Sequence, residues 1–299
     1  MMANPRVLRV TNHRLITITA DDFGIGPETT RGILDLAARG VVTSTVLLVN
    51  SPYASDAVAL WRALRSPLEL GWHPCLTFDR PLLEPRQIPS LVDADGRFFP
   101  LRAFLCRLWQ GRLHSDDIAA ELAAQYERFC RLVGHSPRVV NGHHHLHIFP
   151  QVGPILRELL KQCPTRPYLR RVVETWPAFA LAPGQWWKRL FLGVWGRRAA
   201  KAQRSAGFPG GEQLLGLSGV GWPGIERCLR ATSASRLELV CHPGFPDATL
   251  ASRGESSATR VQESDTLRDP AFRRALEDAG FTLVPAEKLS ANSAERQAA

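Results

Sequence analysis

The stretch RLITITADDF, residues 14–23, decides the fold. Residues 14–20 form a run of apolar and β-branched side chains, which is typical of a strand buried in a sheet, and the run ends on Asp21 and Asp22. Two adjacent carboxylates at a strand end point in different directions, so one can bind a metal ion while the other acts as a base. For these two residues alone, a helix N-cap followed by a solvated acid remains an alternative.

The same arrangement recurs along the chain. Apolar runs at 68–73 and 236–242 end on His73 and His242, and the run 138–142 leads into His143-His144-His145-Leu146-His147. Predicted helices, at 27–39, 53–65, 115–133, 150–162 and 268–280, separate further predicted strands at 43–50 and 281–285. Alternating strands and helices predict an α/β fold with a mostly parallel sheet. In a parallel barrel the carboxyl ends of the strands share one face, so these polar residues should meet there.

The histidine run is the strongest chemical signal. Four of the nine histidines lie within residues 143–147, which packing alone does not explain. One aspartate and two histidines would leave positions on a metal ion open to water, an arrangement typical of catalytic sites. Mixed imidazole and carboxylate ligands favour one Zn²⁺ over Mg²⁺. His73 and His242, each taken alone, are equally compatible with structural roles.

The amino-acid composition suggests where the protein is located and what it binds. The chain has 37 Lys and Arg against 28 Asp and Glu, a net charge of +9, which favours nucleic acid or an anionic membrane surface as partner, or serves only solubility. Six cysteines without a CxxC pair indicate reduced thiols in the cytoplasm. Neither a secretory signal nor a membrane-spanning run of 18 apolar residues is expected. Residues 79–100, rich in Pro and Gly, predict a long functional loop.

Residues 175–211 interrupt the alternation and predict an insertion, which contains no Asp or Glu. Within it, residues 185–204 mix Trp, Phe and Leu with Lys and Arg, the composition of a segment that lies on an anionic membrane. The alternative is a helix whose aromatic side chains pack on the barrel. Nucleic-acid binding is disfavoured, because no recognition fold accompanies the segment.

The motifs resemble those of the YdjC-like carbohydrate deacetylases over about residues 14–286. They are Ala20-Asp21-Asp22-Phe23-Gly24, Gly71-Trp72-His73, the run His143 to His147, and Cys241-His242-Pro243-Gly244. The resemblance implies a single domain over residues 1–289, a distorted TIM-like (β/α) barrel of seven or eight parallel strands, followed by a disordered tail at 290–299. It also implies removal of acetyl groups from N-acetylated sugars with one divalent ion, for which the family also allows Mg²⁺.

The resemblance assigns roles to single residues. It implies that Asp22, His73 and His143 bind the metal, that Asp21 is the general base, and that His242 protonates the leaving amine or stabilises the oxyanion. His145 and His147 are expected to orient the ligands or to contact the sugar, and Phe23 is expected to contact the substrate.

Asn141 and Gly142 stand where diacetylchitobiose-type members have Asp-Ser, so a carboxylate that would support a ligand is missing. This pair resembles the hopanoid-associated branch, which implies a bacteriohopanetetrol-linked N-acetylglucosamine as substrate and a cytoplasmic enzyme peripheral on the inner membrane. Soluble chitobiose-like substrates, a metal-dependent phosphoesterase and a non-catalytic lipid- or sugar-binding protein remain alternatives. The sequence leaves the oligomeric state open.

Overall fold

The computed structural model describes residues 14–63, 67–174, 186–217, 221–251, 253 and 255–289. The predicted tail at 290–299 and the part of the predicted insertion at 175–185 lie outside the described residues. Eight strands are described: β1 Arg14–Phe23, β2 Ser44–Leu47, β3 Glu69–Trp72, β4 Val139–Val140, β5 Tyr168–Leu169, β6 Gln213–Gly216, β7 Arg236–Cys241 and β8 Phe281–Leu283.

Every strand pairing is parallel. The order is β5-β4-β3-β2-β1-β7-β6, and β8 pairs with the start of β1. The Leu214 N–H at the β6 edge donates to the Val173 carbonyl, which follows β5 at the other edge (2.8 Å). The two edges of the sheet therefore meet, and the α/β fold of seven to eight parallel strands fits the distorted TIM-like barrel that was predicted.

The helices cover the sheet and connect its strands. They are α1 Pro27–Ala38, α2 Ala54–Ala63, α3 Leu101–Trp109, α4 Ser115–Val133, α5 Gly153–Leu160, α6 Trp186–Ser205, α7 Gly221–Ala231, α8 Ala248–Ala251, α9 Ala258–Arg268, α10 Pro270–Asp278 and α11 Ala286–Leu289. None of the helices within the described ranges is long and apolar enough to cross a bilayer.

The central strand β1 is buried on both faces, as an interior strand of a parallel sheet must be. Ile16 and Ile18 face one side of the core, while Thr17 on the other side is equally buried. The Thr17 hydroxyl lies 3.1 Å from that of Thr43 and 3.3 Å from that of Ser44. The buried Thr17 hydroxyl is therefore satisfied by neighbouring side chains.

The predicted long loop at 79–100 is held against α4 by two buried acids. Glu121 accepts hydrogen bonds from the backbone N–H groups of Leu82 and Leu83, and Asp117 accepts one from Ser90. Burial raises the pKa of Glu121. Because side chains of α4 satisfy its backbone, this loop has a fixed position beside the carboxyl ends of the strands.

The described part of the predicted insertion is mainly the helix α6. One face of α6 packs on the barrel: Ala200 is fully buried, and the buried Gln203 amide donates to the Arg170 carbonyl (3.3 Å). On the opposite face Leu190 and Val194 are exposed. One face of α6 therefore packs on the barrel, and the other is exposed.

Candidate metal centre and the cavity around it

Three side chains from different strand ends converge at the carboxyl face of the sheet. Asp22 lies at the end of β1, His73 directly after β3, and His143 after β4, and all three are buried. The Oδ1 atom of Asp22 lies 2.9 Å from His143 Nδ1 and 3.3 Å from His73 Nε2, and these two nitrogens are 3.4 Å apart. Ligand atoms about 2.0–2.2 Å from one ion are separated by roughly 3.0–3.5 Å, so the spacing fits one metal ion.

The tautomer of His73 also favours a cation. Its Nδ1 lies 2.7 Å from the Asn141 main-chain carbonyl, which can only accept, so Nδ1 carries the proton. The Nε2 lone pair of a neutral His73 then faces the Asp22 carboxylate, and two electron-rich atoms at that distance repel unless a positive charge lies between them. Together with His143 they form a cluster whose ligand atoms lie within 4.8 Å of one another.

Asp22 is kept ionised in this buried position. Burial alone would raise its pKa, but the Arg260 guanidinium, which donates to Oδ2 at 2.7 Å, and the neighbouring His143 and His73 hold the pKa well below its usual range. The other oxygen, Oδ1, therefore stays a negatively charged ligand atom.

The local backbone is strained where it presents these groups. Asp22, His144 and His145 have φ values of 65°, 53° and 58°, in the left-handed region that costs most side chains roughly 1–2 kcal/mol each. The β1–β2 register also shifts between Ala20 and Phe23. Neighbouring strand residues normally point to opposite faces, and this irregularity lets both Asp21 and Asp22 line one cavity.

Asp21 belongs to a buried ion network. Both of its oxygens accept from the Arg170 guanidinium, at 2.5 and 2.8 Å, and Oδ1 also accepts from the Asn141 amide at 3.3 Å. Arg170 further binds Glu238, which accepts from the Tyr168 hydroxyl. Burial would raise the pKa of Asp21, but Arg170 outweighs it and lowers the pKa to about 2. Asp21 is thus a carboxylate at any physiological pH.

A cavity of about 1030 Å³ opens onto these residues. Its floor carries Asp21, Asp22, His73 and His143, with His145 and His242 beside them. The His242 backbone N–H donates to Glu263 (2.6 Å), which fixes the strand end that presents the imidazole. Burial, with Arg170 next in effect, lowers the pKa of His145 well below its usual range, so this imidazole is neutral.

The cavity wall differs from its floor. One part of the wall is apolar and comes from α3, α6 and the chain just after the histidine run; its members are Leu101, Leu105, Phe149, Phe191 and Leu192. The lining also includes the polar side chains of Arg102, Glu255, Ser256, Thr259 and Glu263. A molecule that fills the cavity would thus meet charged and imidazole groups at one end and hydrocarbon along one side.

Two residues predicted to contact substrate do not line this cavity. Phe23 is fully buried in the hydrophobic core. The buried His147 accepts from the Gly142 N–H at Nδ1 (3.0 Å) and donates from Nε2 to the Arg170 carbonyl (3.1 Å), and burial lowers its pKa to about 3. Both ring nitrogens of His147 are satisfied and Phe23 is enclosed in the core, so neither side chain lines the cavity, and their substrate contacts stay a prediction. His147 instead anchors the histidine loop to the chain after β5.

Asn141 supports the site in a way that the sequence did not indicate. The prediction took the residue as a lost carboxylate, but its main-chain carbonyl orients His73 while its side-chain amide binds Asp21. Arg170, Glu238 and Arg260 were missed altogether, because no motif contains them. Glu238, flanked by apolar residues in the strand RLELVC, was the one signal of a buried cationic partner.

The chain is similar to known proteins over most of its length. The family described as YdjC-like protein matches residues 15–278. A chitooligosaccharide deacetylase of Yersinia pestis strain Pestoides F is 31% identical over 278 residues, covering 90% of this chain and 97% of that protein. A protein of the same name from Serratia marcescens is 32% identical over 276 residues, with the same coverage. A crystal structure from Enterococcus faecalis V583, of a protein assigned to cellobiose-phosphate cleavage, has a TM-score of 0.78, 24% identity, and covers 93% of this chain and 100% of its own; this likeness shows a shared fold.

Proposed function

The chain belongs to the YdjC-like protein family, and from that premise we propose that it is a metal-dependent hydrolase that removes N-acetyl groups from a carbohydrate. The observation that carries the proposal is the buried cluster of Asp22, His73 and His143 beside the separately held carboxylate of Asp21, at the floor of one cavity. The chitooligosaccharide deacetylases that resemble the chain over 90% of its length support the same reaction class.

In this proposal Asp22, His73 and His143 hold one divalent ion, and their donor set favours Zn²⁺. A bound divalent ion supplies Lewis-acid chemistry: it acidifies water and polarises a carbonyl. That contribution matters here because Asp21, with a pKa of about 2, is a weak base by itself.

The protein side chains divide the remaining work. Asp21, oriented by Arg170, accepts the proton of the attacking water at its carboxylate. His242, which follows the neighbouring strand β7 and lines the same cavity, delivers a proton to the sugar nitrogen as the C–N bond breaks. The neutral His145 contacts the sugar. The products are acetate and a free amine.

The substrate that we propose is an N-acetylglucosamine carried on a lipid. The resemblance of Asn141-Gly142 to the hopanoid-associated branch suggests that this lipid is bacteriohopanetetrol. The apolar wall of the cavity supports a hydrocarbon aglycone. Soluble chitooligosaccharides are the alternative, supported by the names of the relatives. A lipid-borne substrate also requires contact with a bilayer, for which we propose residues 185–204 and a location on the inner face of the cytoplasmic membrane.

The test measures acetate release by the purified, Zn²⁺-loaded chain from N-acetylglucosaminyl bacteriohopanetetrol and from diacetylchitobiose. Asp21→Asn should release at least about 100-fold less acetate from the better substrate, because it removes the proton acceptor. The matched control is Asp35→Asn, which removes a salt-bridged carboxylate on α1 outside the cavity and should stay active. Full activity of Asp21→Asn would refute the assignment of the base, and faster turnover of diacetylchitobiose would refute the lipid substrate.

A further inference from the structure

We infer that α3 and α6 together form a surface that docks on an anionic lipid bilayer and opens directly into the cavity. This docking surface comprises Trp109 of α3 and, on α6, the apolar Leu190 and Val194 and the cationic Arg197 and Lys201. The biological purpose of this surface rests on the proposed function. Its physical basis does not, because that basis is the exposure, charge and position of these residues.

The apolar part of the docking surface is exposed and continuous. Trp109, Leu190 and Val194 are 47%, 53% and 45% exposed, and Leu60 is the one other large hydrophobic side chain with such exposure in the described ranges. The Trp109 ring lies 5.4 Å from Trp195 and 6.0 Å from Phe191, centroid to centroid. These ring contacts fix α3 against α6, so their exposed residues present one patch instead of scattered side chains.

The charge of the docking surface has one sign. Residues 101–113 contain three arginines, of which Arg102 lines the cavity, and residues 190–205 contain four cations, while neither segment contains an Asp or Glu. On α6, Leu190 and Val194 share a helical face with the exposed Arg197 and Lys201, at the spacing i, i+4, i+7 and i+11. Apolar side chains at one end of a face and cations at the other match the acyl and headgroup layers of an anionic leaflet.

The same two helices supply the cavity wall. Leu101 and Leu105 of α3 and Phe191 and Leu192 of α6 line the cavity that ends at the metal cluster. With the docking surface on a bilayer, the hydrocarbon part of a substrate would lie along this wall while its sugar reaches Asp21 and His145. The aglycone would then exchange one apolar environment for another without crossing water.

The experiment measures sedimentation of the full chain with vesicles of phosphatidylcholine alone and of phosphatidylcholine with about 30% phosphatidylglycerol. The chain should bind the anionic vesicles only. Leu190→Ser combined with Val194→Ser should weaken binding by roughly tenfold. Arg197→Gln combined with Lys201→Gln should weaken it by about fivefold for each cation removed. Turnover of diacetylchitobiose should stay unchanged in both, since none of the four residues lines the cavity.

Matched controls separate docking from general surface properties. Leu60→Ser removes an equally exposed leucine from α2, and Arg274→Gln with Lys288→Gln removes two exposed cations from α10 and α11. Neither control should change vesicle binding. Equal losses in the controls, no binding to the anionic vesicles, or tighter binding to single-stranded nucleic acid would each overturn the docking surface. Failure of acetate release from every sugar would instead overturn the proposed function, so the two failures are distinguishable.

Discussion

Replacing Arg170 by Lys tests the buried ion network that holds Asp21. Arg170 is fully buried and donates three charge-assisted hydrogen bonds, two to Asp21 and one to Glu238. A lysine keeps the charge, but its single nitrogen cannot reach both carboxylates in the same fork geometry. Each lost bond to a charged group costs about 1.5–3 kcal/mol, and breaking a buried pair costs about 3–5 kcal/mol. We therefore expect a loss of about 3–5 kcal/mol in the free energy of unfolding.

Thermal denaturation checks this expectation. For a domain of this size 1 kcal/mol shifts Tm by roughly 2–4 °C, so Arg170→Lys should lower Tm by roughly 6–20 °C. The same substitution at Arg230, which pairs with Glu226 at 2.8 Å on the surface, is the control and should cost less than about 1 kcal/mol. Because Arg170 also lowers the pKa of Asp21, the acid limb of the activity profile should move to higher pH in Arg170→Lys only.

Two results would refute the reasoning. A Tm within about 2 °C of the parent protein would mean that the network adds nothing to stability beyond charge balance. A lower Tm with an unmoved acid limb would mean that Arg170 supports the fold without setting the protonation of Asp21.

Three further predictions follow from the described contacts. Added Zn²⁺ at one hundred times Kd should stabilise the parent chain by about 2.7 kcal/mol and so raise its Tm, and His73→Ala should abolish that rise. An equal rise in Tm in both chains would exclude His73 as a ligand. His147→Leu should lower Tm, because it leaves the Gly142 N–H without its partner and the Arg170 carbonyl with the Gln203 amide alone, while the bound-metal content stays the same. Burial raises the pKa of Glu69 to about 7, so the folded state binds the extra proton and stability falls as pH rises from about 4.5 to 7. In urea denaturation Glu69→Gln should remove that fall, by no more than about 3 kcal/mol, and an unchanged pH dependence would contradict it.

The sequence predicted that Asp22, His73 and His143 come together, because strand ends in a parallel barrel converge whatever lies between them. That prediction required no knowledge of side-chain contacts, only of the positions at which three strands end. By contrast, β5 and β6 were missed because, unlike the equally short β3 and β4 that lead into His73 and His143, no recognised motif follows them. The helix α3 was also missed, although it supplies part of the cavity wall.

The partners of the site could not be predicted in the same way. Arg170, Glu238 and Arg260 come from three distant parts of the chain and meet Asp21 and Asp22 only in the folded protein. The sequence could not show that His147 and Phe23 lie outside the cavity lining, because proximity in sequence to a candidate site residue does not determine which way a side chain points. A left-handed backbone at His144 and His145 changes those directions within one turn.

That left-handed backbone opposes the stability of the fold to the side chains that the cavity requires. Glycine would adopt the same φ at positions 144 and 145 without the penalty of roughly 1–2 kcal/mol that each histidine carries. Selection for heat resistance alone would therefore enrich glycine at both positions and erase the imidazole that His145 presents to the cavity. A library built to make this enzyme more robust should hold these two codons fixed and seek its gains elsewhere.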